Sequence, residues 1–195
     1  TKANQSGQTI RNAVTHPDRM RRCIYRSRYD GIDIIKGDTS LSEQDVQKPD
    51  WLRNFRQSEL AEKYDYCIVD TRPAFENIAI SVLAAADILL TPVCLDKSCR
   101  DNLALVEEVL NDMPEQYRPD WHIFANKVNA RRTAQKKIYE DLFMKHDYPF
   151  LETCVCESAD VTNALDMYKP LMRHRRKGRA AHDYTELAEE VDRLR

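Results

Sequence analysis

The sequence predicts an α/β protein with a mostly parallel sheet and helices on both faces. Three observations carry this. Tyr66–Asp70 (YCIVD) and Ile88–Cys94 (ILLTPVC) are nearly unbroken apolar runs, as expected of strands buried on both faces. Segments of helical periodicity stand between such runs along the chain. No repeat of fixed period and no linker-like stretch divides the 195 residues, so one domain spanning 1–195 is the simplest organisation.

The elements follow in order. Residues 32–36 (IDIIK) read as a short strand. Pro49 to Tyr64 reads as a helix, with proline early and Trp51, Leu52, Phe55 and Leu60 near helical spacing. Residues 66–70 are a buried strand, 77–86 an apolar helix, 88–94 a second buried strand and 98–112 a helix with apolar residues at 103, 106 and 110. Then come strand 121–126, helix 131–146, strand 150–155, a short helix near 159–168 and a last helix at 180–194.

Composition excludes several classes. Thirty basic against 32 acidic residues give a formal net charge of -2, which argues against a globally basic nucleic-acid binder but not against a local patch. Four glycines and eight prolines exclude a collagen-like or low-complexity chain. The most apolar stretch, 78–93, contains Ser81, Asp87, Thr91 and Pro92 and falls short of the ~20 apolar residues of a membrane span. The start, TKANQSGQTI, has no signal-peptide core, so the six cysteines read as reduced cytosolic thiols. Cys154 and Cys156 are the only close pair, and no second cluster completes a zinc site.

Ligands of open α/β sheets bind beyond the carboxyl ends of the strands. That rule selects 70–73, 92–96, 126–129 and 156–160. Asp70 ends an apolar strand and precedes Thr71, an arrangement that holds Mg²⁺ beside a nucleotide phosphate; the alternative is a strand-end or turn cap. Asn126 reads either as a carboxamide that meets a base edge or as a strand-end cap. The glycines, at 7, 31, 37 and 178, never form G-x-x-x-x-G-K-[ST], and the five histidines are scattered. Lys169, Arg173, Arg175, Arg176, Lys177 and Arg179 stand in a run without an acid. A second basic cluster comprises Arg19, Arg21, Arg22, Arg26 and Arg28. Such density suits phosphate-backbone contacts, and equally a solvated face or an acidic partner.

The series Tyr64 to Pro73 (YDYCIVDTRP), Ala84–Asp87 (AAAD) and Leu90–Val93 (LTPV) resembles the ParA/Soj/MinD family of partitioning ATPases, whose pattern is YDYIIIDTPP, AAD and a strand ending in PV. The strand ending at Asn126, the segment 152–164 and the stretch 177–190 resemble the family's later elements, and Thr1–Asn4 resembles the tail of its first switch motif. The resemblance covers nearly the whole chain. It departs at Arg72, where the family has proline, at Thr1-Lys2, where it has Pro-Gln, and at Cys156-Glu157, where it has Pro-Arg.

The resemblance implies a P-loop NTPase-like fold whose first βαβ portion, with a deviant phosphate loop, lies upstream of Thr1. It implies ATP and Mg²⁺ as cofactors, with Asp70 organising the metal and the attacking water, and Asp70, Thr71, Asn126, Cys156 and Asp160 on the nucleotide side. It further implies an ATP-dependent homodimer, non-specific DNA binding through the run 169–179, a centromere-binding ParB-like partner and a cytoplasmic, nucleoid-associated protein of plasmid or chromosome partitioning. Two alternatives remain: a non-catalytic ParA-like dimerisation or DNA-contact module, and a MinD-like membrane-surface ATPase. The acidic, weakly apolar end TELAEEVDRLR counts against the second.

Overall fold

The computed structural model describes residues 7–46, 50–72 and 74–194. The expectations placed on Thr1–Asn4, Pro49 and Pro73 lie outside them. The described residues form two compact units: those within 1–87 and 113–119, and those within 88–112 and 120–195.

In the first unit, α1 (Ile10–Thr15) leads through a 3₁₀ helix (Pro17–Cys23) into β1 (Ile24–Arg26), which pairs antiparallel with β2 (Asp33–Ile35). The strand expected at 32–36 is thus present, but in a hairpin rather than a parallel sheet. Gly31, with φ of 77°, supplies the left-handed residue that the turn needs. The expected helix 49–64 is shorter: α2 (Trp51–Arg56) ends, and a 3₁₀ turn follows at Ala61–Lys63. Helix α3 (Asn77–Leu83) starts with its exposed amides on Glu43, whose carboxylate accepts from the Asn77 and Ile78 N–H groups at 2.7 and 3.3 Å. Ala13, Val14, Met20, Cys23, Trp51, Leu52 and Val82 form the core of this unit. The Trp51 indole donates to the Ser81 hydroxyl at 3.2 Å, so the buried ring leaves no polar orphan.

One expectation fails here. Tyr66–Asp70 is exposed and takes no strand pairing, with Ile68 92% accessible. Its β-branched, apolar sequence favours an extended chain. A strand, however, exists only where a neighbour accepts its hydrogen bonds, and none of the described residues does so.

In the second unit, β3 (Ile88–Cys94) and β4 (Asp120–Asn126) form a parallel ladder from Ile88↔Asp120 to Cys94↔Asn126. Residues alternate across it. Val93, Ile123 and Ala125 pack with Leu103 of α4 (Cys99–Asp112) and Leu142 of α5 (Thr133–Lys145). Leu90 and Phe124 join the other cluster, with Leu187 of α8 (Arg179–Asp192). The ladder therefore carries helices on both faces, as its apolar runs require. Helices α6 (Ala159–Asp166) and α7 (Leu171–His174) precede α8 along the chain.

The expected strand 150–155 is a broken one. Among the described residues it pairs as isolated bridges, Ile123↔Phe150 in the ladder and Val128↔Cys156 just beyond it, rather than as a continuous strand. Leu151 donates to Ile123 O at 2.7 Å and Val155 to Ala125 O at 2.8 Å, so four residues span two of the partner. The intervening amides turn to α8 instead: Glu190 accepts from Glu152 and Thr153 N–H at 2.7 and 2.9 Å. Burial alone would raise the Glu190 carboxyl, but these bonds and the Thr153 hydroxyl outweigh it and hold the group below its ordinary value.

Candidate functional site

The register of β3 and β4 brings their carboxyl ends level at Cys94 and Asn126. The loop beyond is built from short polar contacts. The Asn126 side-chain oxygen accepts from Lys127 N–H at 2.9 Å, so its carboxamide caps the strand end and keeps its amino group as a donor. Lys127 itself adopts a left-handed conformation with φ of 52°, which turns the chain off the sheet. Val128 then zips onto the neighbouring segment, its N–H to Val155 O and its carbonyl from Glu157 N–H, both at 3.0 Å. Asn129 is held three ways. Its N–H reaches Gln135 Oε1 at 2.8 Å, its Nδ2 donates to Glu157 Oε2 at 3.3 Å and its Oδ1 accepts from Arg131 N–H at 3.1 Å.

Between this loop and the start of α6 and α8 lies a cavity of about 310 Å³, lined by Val128, Asn129, Ala130, Arg131, Cys156, Glu157, Ser158, Asp160 and Arg179. That volume is at the small end of ligand cavities, about 300 Å³ and upward. Both charge signs face it, with carboxamide and hydroxyl groups beside apolar walls. Such a mixture suits a planar heterocycle with donors and acceptors on its edge.

Each wall has a local cause. The Ser158 hydroxyl caps α6 by accepting from Asp160 N–H at 3.2 Å. Asp160 Oδ1 accepts from Arg175 Nη1 at 3.2 Å. Gly178, at the N-cap of α8, is there for space: a Cβ would stand 3.0 Å from Asp160 Oδ2 and 3.3 Å from the Arg175 carbonyl. Cys156 is fixed by its N–H, which donates to Asp183 Oδ2 at 2.9 Å. Burial first, and then the Asp183 carboxylate, push the Cys156 thiol up to about 11, so it lines the cavity as a neutral, unreactive group.

Of the residues expected from sequence, Cys156 and Asp160 meet in this cavity, and Asn126 stands two residues before its first wall residue. Arg179, assigned to the basic run, lines the same cavity. Lys169, Arg173, Arg175, Arg176 and Lys177 are exposed. Asp70 and Thr71 belong to the first unit and are exposed beyond the extended segment 66–70. Next to them the Arg72 guanidinium donates to Leu41 O at 3.0 Å. A carboxylate and a hydroxyl side by side are the hard oxygen donors that Mg²⁺ takes.

Sequence reading missed Arg131 as a wall residue, and Asp183 and Glu190 as supports. The last two are seven apart on α8, and a polar pair at that spacing shares one helix face. That spacing was the available signal. Among the described residues, His182, Asp183 and Glu186 place one donor atom each within 4.8 Å of one another. Asp183 is already engaged by Cys156, and His182 Nδ1 lies 3.3 Å from Glu186 Oε2. No helix of the described residues is long and apolar enough to cross a membrane.

Comparison with known proteins bears on this geometry. The AAA domain family matches residues 1–123. The chromosome partitioning protein ParA of Myxococcus xanthus is 22% identical over 166 residues, covering 82% of this chain and 56% of that protein. The chain thus spans little more than half the length of that relative. The solved structure of apo McdA from Cyanthece superposes with a TM-score of 0.82 at 16% identity, over 97% of this chain and 80% of that one. A ParA family ATPase from Chlorobium tepidum TLS does so with a TM-score of 0.73 at 14% identity, over 95% and 76%. At these identities the two structures establish the fold alone.

Proposed function

We propose that this chain, which belongs to the AAA domain family, is a ParA-type partitioning ATPase and binds ATP with its base in the cavity beyond β4. One observation carries the reading: β3 and β4 end in register at Cys94 and Asn126, and the cavity opens immediately beyond that end. This is where an open α/β sheet takes its ligand. Asn126, Asn129 and Asp160 offer the carboxamide and carboxylate partners of an adenine edge, and Cys156 and Val128 an apolar wall.

Asp70 and Thr71 are the residues to hold Mg²⁺ and orient water. Bound there, the ion supplies charge neutralisation on phosphate oxygens, and the protein supplies position. Nucleotide-dependent homodimerisation, non-specific DNA binding through Lys169, Arg173, Arg175, Arg176 and Lys177, and a ParB-like partner that stimulates hydrolysis complete the reading, in plasmid or chromosome partitioning. The single-domain organisation over 1–195 belongs to the same proposal.

A calorimetric titration with MgATP tests it. Binding is expected, and Asp160→Ala should weaken it about tenfold, the cost of one lost hydrogen bond to a charged group. Equal affinity of the variant would remove this cavity from the reading. A second reading, a module that binds without hydrolysis, is favoured by Arg72, which stands beside Asp70 and Thr71 and whose guanidinium is tied to Leu41 O. Nucleotide binding without phosphate release on adding DNA would select it.

A further inference from the structure

We propose that Arg21, Arg22 and Arg26 form a docking surface for an acidic, extended segment of a protein partner. Local structure sets them outward. A 3₁₀ helix turns once every three residues, so residues three apart are eclipsed. In the helix Pro17–Cys23, Met20 and Cys23 make the buried stripe, at 3% and 0% exposure. The other two stripes hold Asp18 with Arg21 and Arg19 with Arg22, all exposed. Arg26 follows at the end of β1 and is exposed as well.

The carrying observation is what these three lack. Arginine keeps its charge at physiological pH and presents five N–H donors. Elsewhere in the first unit such groups are matched. Arg11 meets Asp45, Arg53 meets Asp50 and Arg56 meets Asp87, while Arg72 and Arg118 donate to the Leu41 and Met113 carbonyls. Within the cluster itself, Asp18 goes to Arg19 at 3.7 Å, and Arg28 lies over the Tyr29 ring. Asp33 stands opposite Arg26 across the hairpin, but its Oδ2 accepts from the Tyr64 hydroxyl at 2.8 Å. Among the described residues, no hydrogen bond or ion pair holds the guanidinium of Arg21, Arg22 or Arg26.

The positive spot is local. From Arg21 to Arg26 is at most about 18 Å of chain, and the unit as a whole carries as many Asp and Glu as Lys and Arg. Asp18, Asp30 and Asp33 bracket the spot. A nucleic-acid duplex covers at least about 600 Å² and would meet those carboxylates too; a short acidic segment would not. Composition agrees. The cluster from 19 to 28 holds arginine and no lysine. Arginine is enriched and lysine depleted where proteins meet proteins, whereas a phosphate backbone or an anionic membrane takes either. A carboxylate also fits the guanidinium fork in a bidentate pair. This inference rests on neither the nucleotide reading nor the run 169–179.

Fluorescence anisotropy at low salt tests it on the whole chain. The probe is a labelled peptide of about 12 residues, glutamates alternating with serines, long enough when extended to span the three arginines. Saturable binding is expected, and about 0.3 M salt should weaken it at least about tenfold, because exposed charges are screened. A peptide with lysines in place of the glutamates should not bind. Arg21→Glu, Arg22→Glu and Arg26→Glu together should lose at least about tenfold in affinity at an unchanged melting temperature, as exposed positions allow. Arg22→Gln alone should lose about threefold. Lysine at all three positions should fall between the parent and the triple glutamate variant, since the charge stays and the fork is lost. Four results would each overturn the proposal: no saturation by about 1 mM peptide, equal binding of the parent and the triple glutamate variant, peptide binding that Arg173→Glu abolishes and the triple variant keeps, or binding of a single-stranded oligonucleotide or phosphatidylglycerol vesicles by these arginines in place of the peptide.

Discussion

Ile68 and Ile123 sit in equally apolar runs, yet Ile68 is 92% exposed and Ile123 fully buried. The runs belong to different units. Ile123 has a parallel partner in Thr91 and helices over both faces of its ladder; Tyr66–Asp70 has neither among the described residues. The difference teaches that apolar patterning selects an extended chain, while burial and hydrogen-bond partners make it a strand.

The largest test of that contrast is a pair of substitutions. Leu103→Ala, at the centre of the second unit's core, should cost about 2–5 kcal/mol. Ile68→Ser should lie within about 0.5 kcal/mol of neutral in the same chain, as exposed positions do. Urea unfolding reads both, and amide hydrogen exchange should show protection over β4 and little over 66–70.

Next is the support under the broken strand. Glu190→Gln keeps the shape but removes the charge that two amides share, and should cost about 1–3 kcal/mol. The sign with pH follows. A carboxyl held below its ordinary value gives stability that is present above the ordinary value and lost as pH falls through the lowered one. Thermal melts should therefore show the parent and Glu190→Gln converging on acidification.

A smaller effect tests the first unit. Trp51→Phe removes the indole donor but leaves the Ser81 hydroxyl its bond to Ile78 O at 2.7 Å. A loss of about 0.5–1.5 kcal/mol is expected by denaturant titration. A larger loss would mean that the indole's packing, rather than its hydrogen bond, holds α2 to α3.

The smallest effect is a titration. The Ser40 hydroxyl, then the Thr9 hydroxyl and the Ser40 N–H, hold the Asp38 carboxyl down at about 2. Its contribution is present above the ordinary value of 3.8 and disappears as pH falls through about 2. Carboxyl carbon NMR should find that midpoint, and Ser40→Ala should move it upward.

Much of this was legible in the sequence. ILLTPVC marks β3 to the residue, and the rule that ligands sit beyond the strand ends points to the residues after Asn126 and around Cys156–Asp160 that line the cavity. The hairpin of β1 and β2 leaves only a faint trace in the sequence, the Asp30-Gly31 turn signal, because each strand is only three residues long. The break at 152–153 could not be read from its own residues, since Glu190 on α8 causes it. Arg131 and Arg179 entered the cavity through tertiary placement alone. Charge density had put Arg179 with the basic run.

Backbone amide NMR of the chain titrated with MgATP tests the central claim most directly. The account predicts the largest shifts at 128–131, 156–160 and Arg179, and their loss in Asp160→Ala. Saturable shifts confined to other residues, with these amides unmoved, would contradict it.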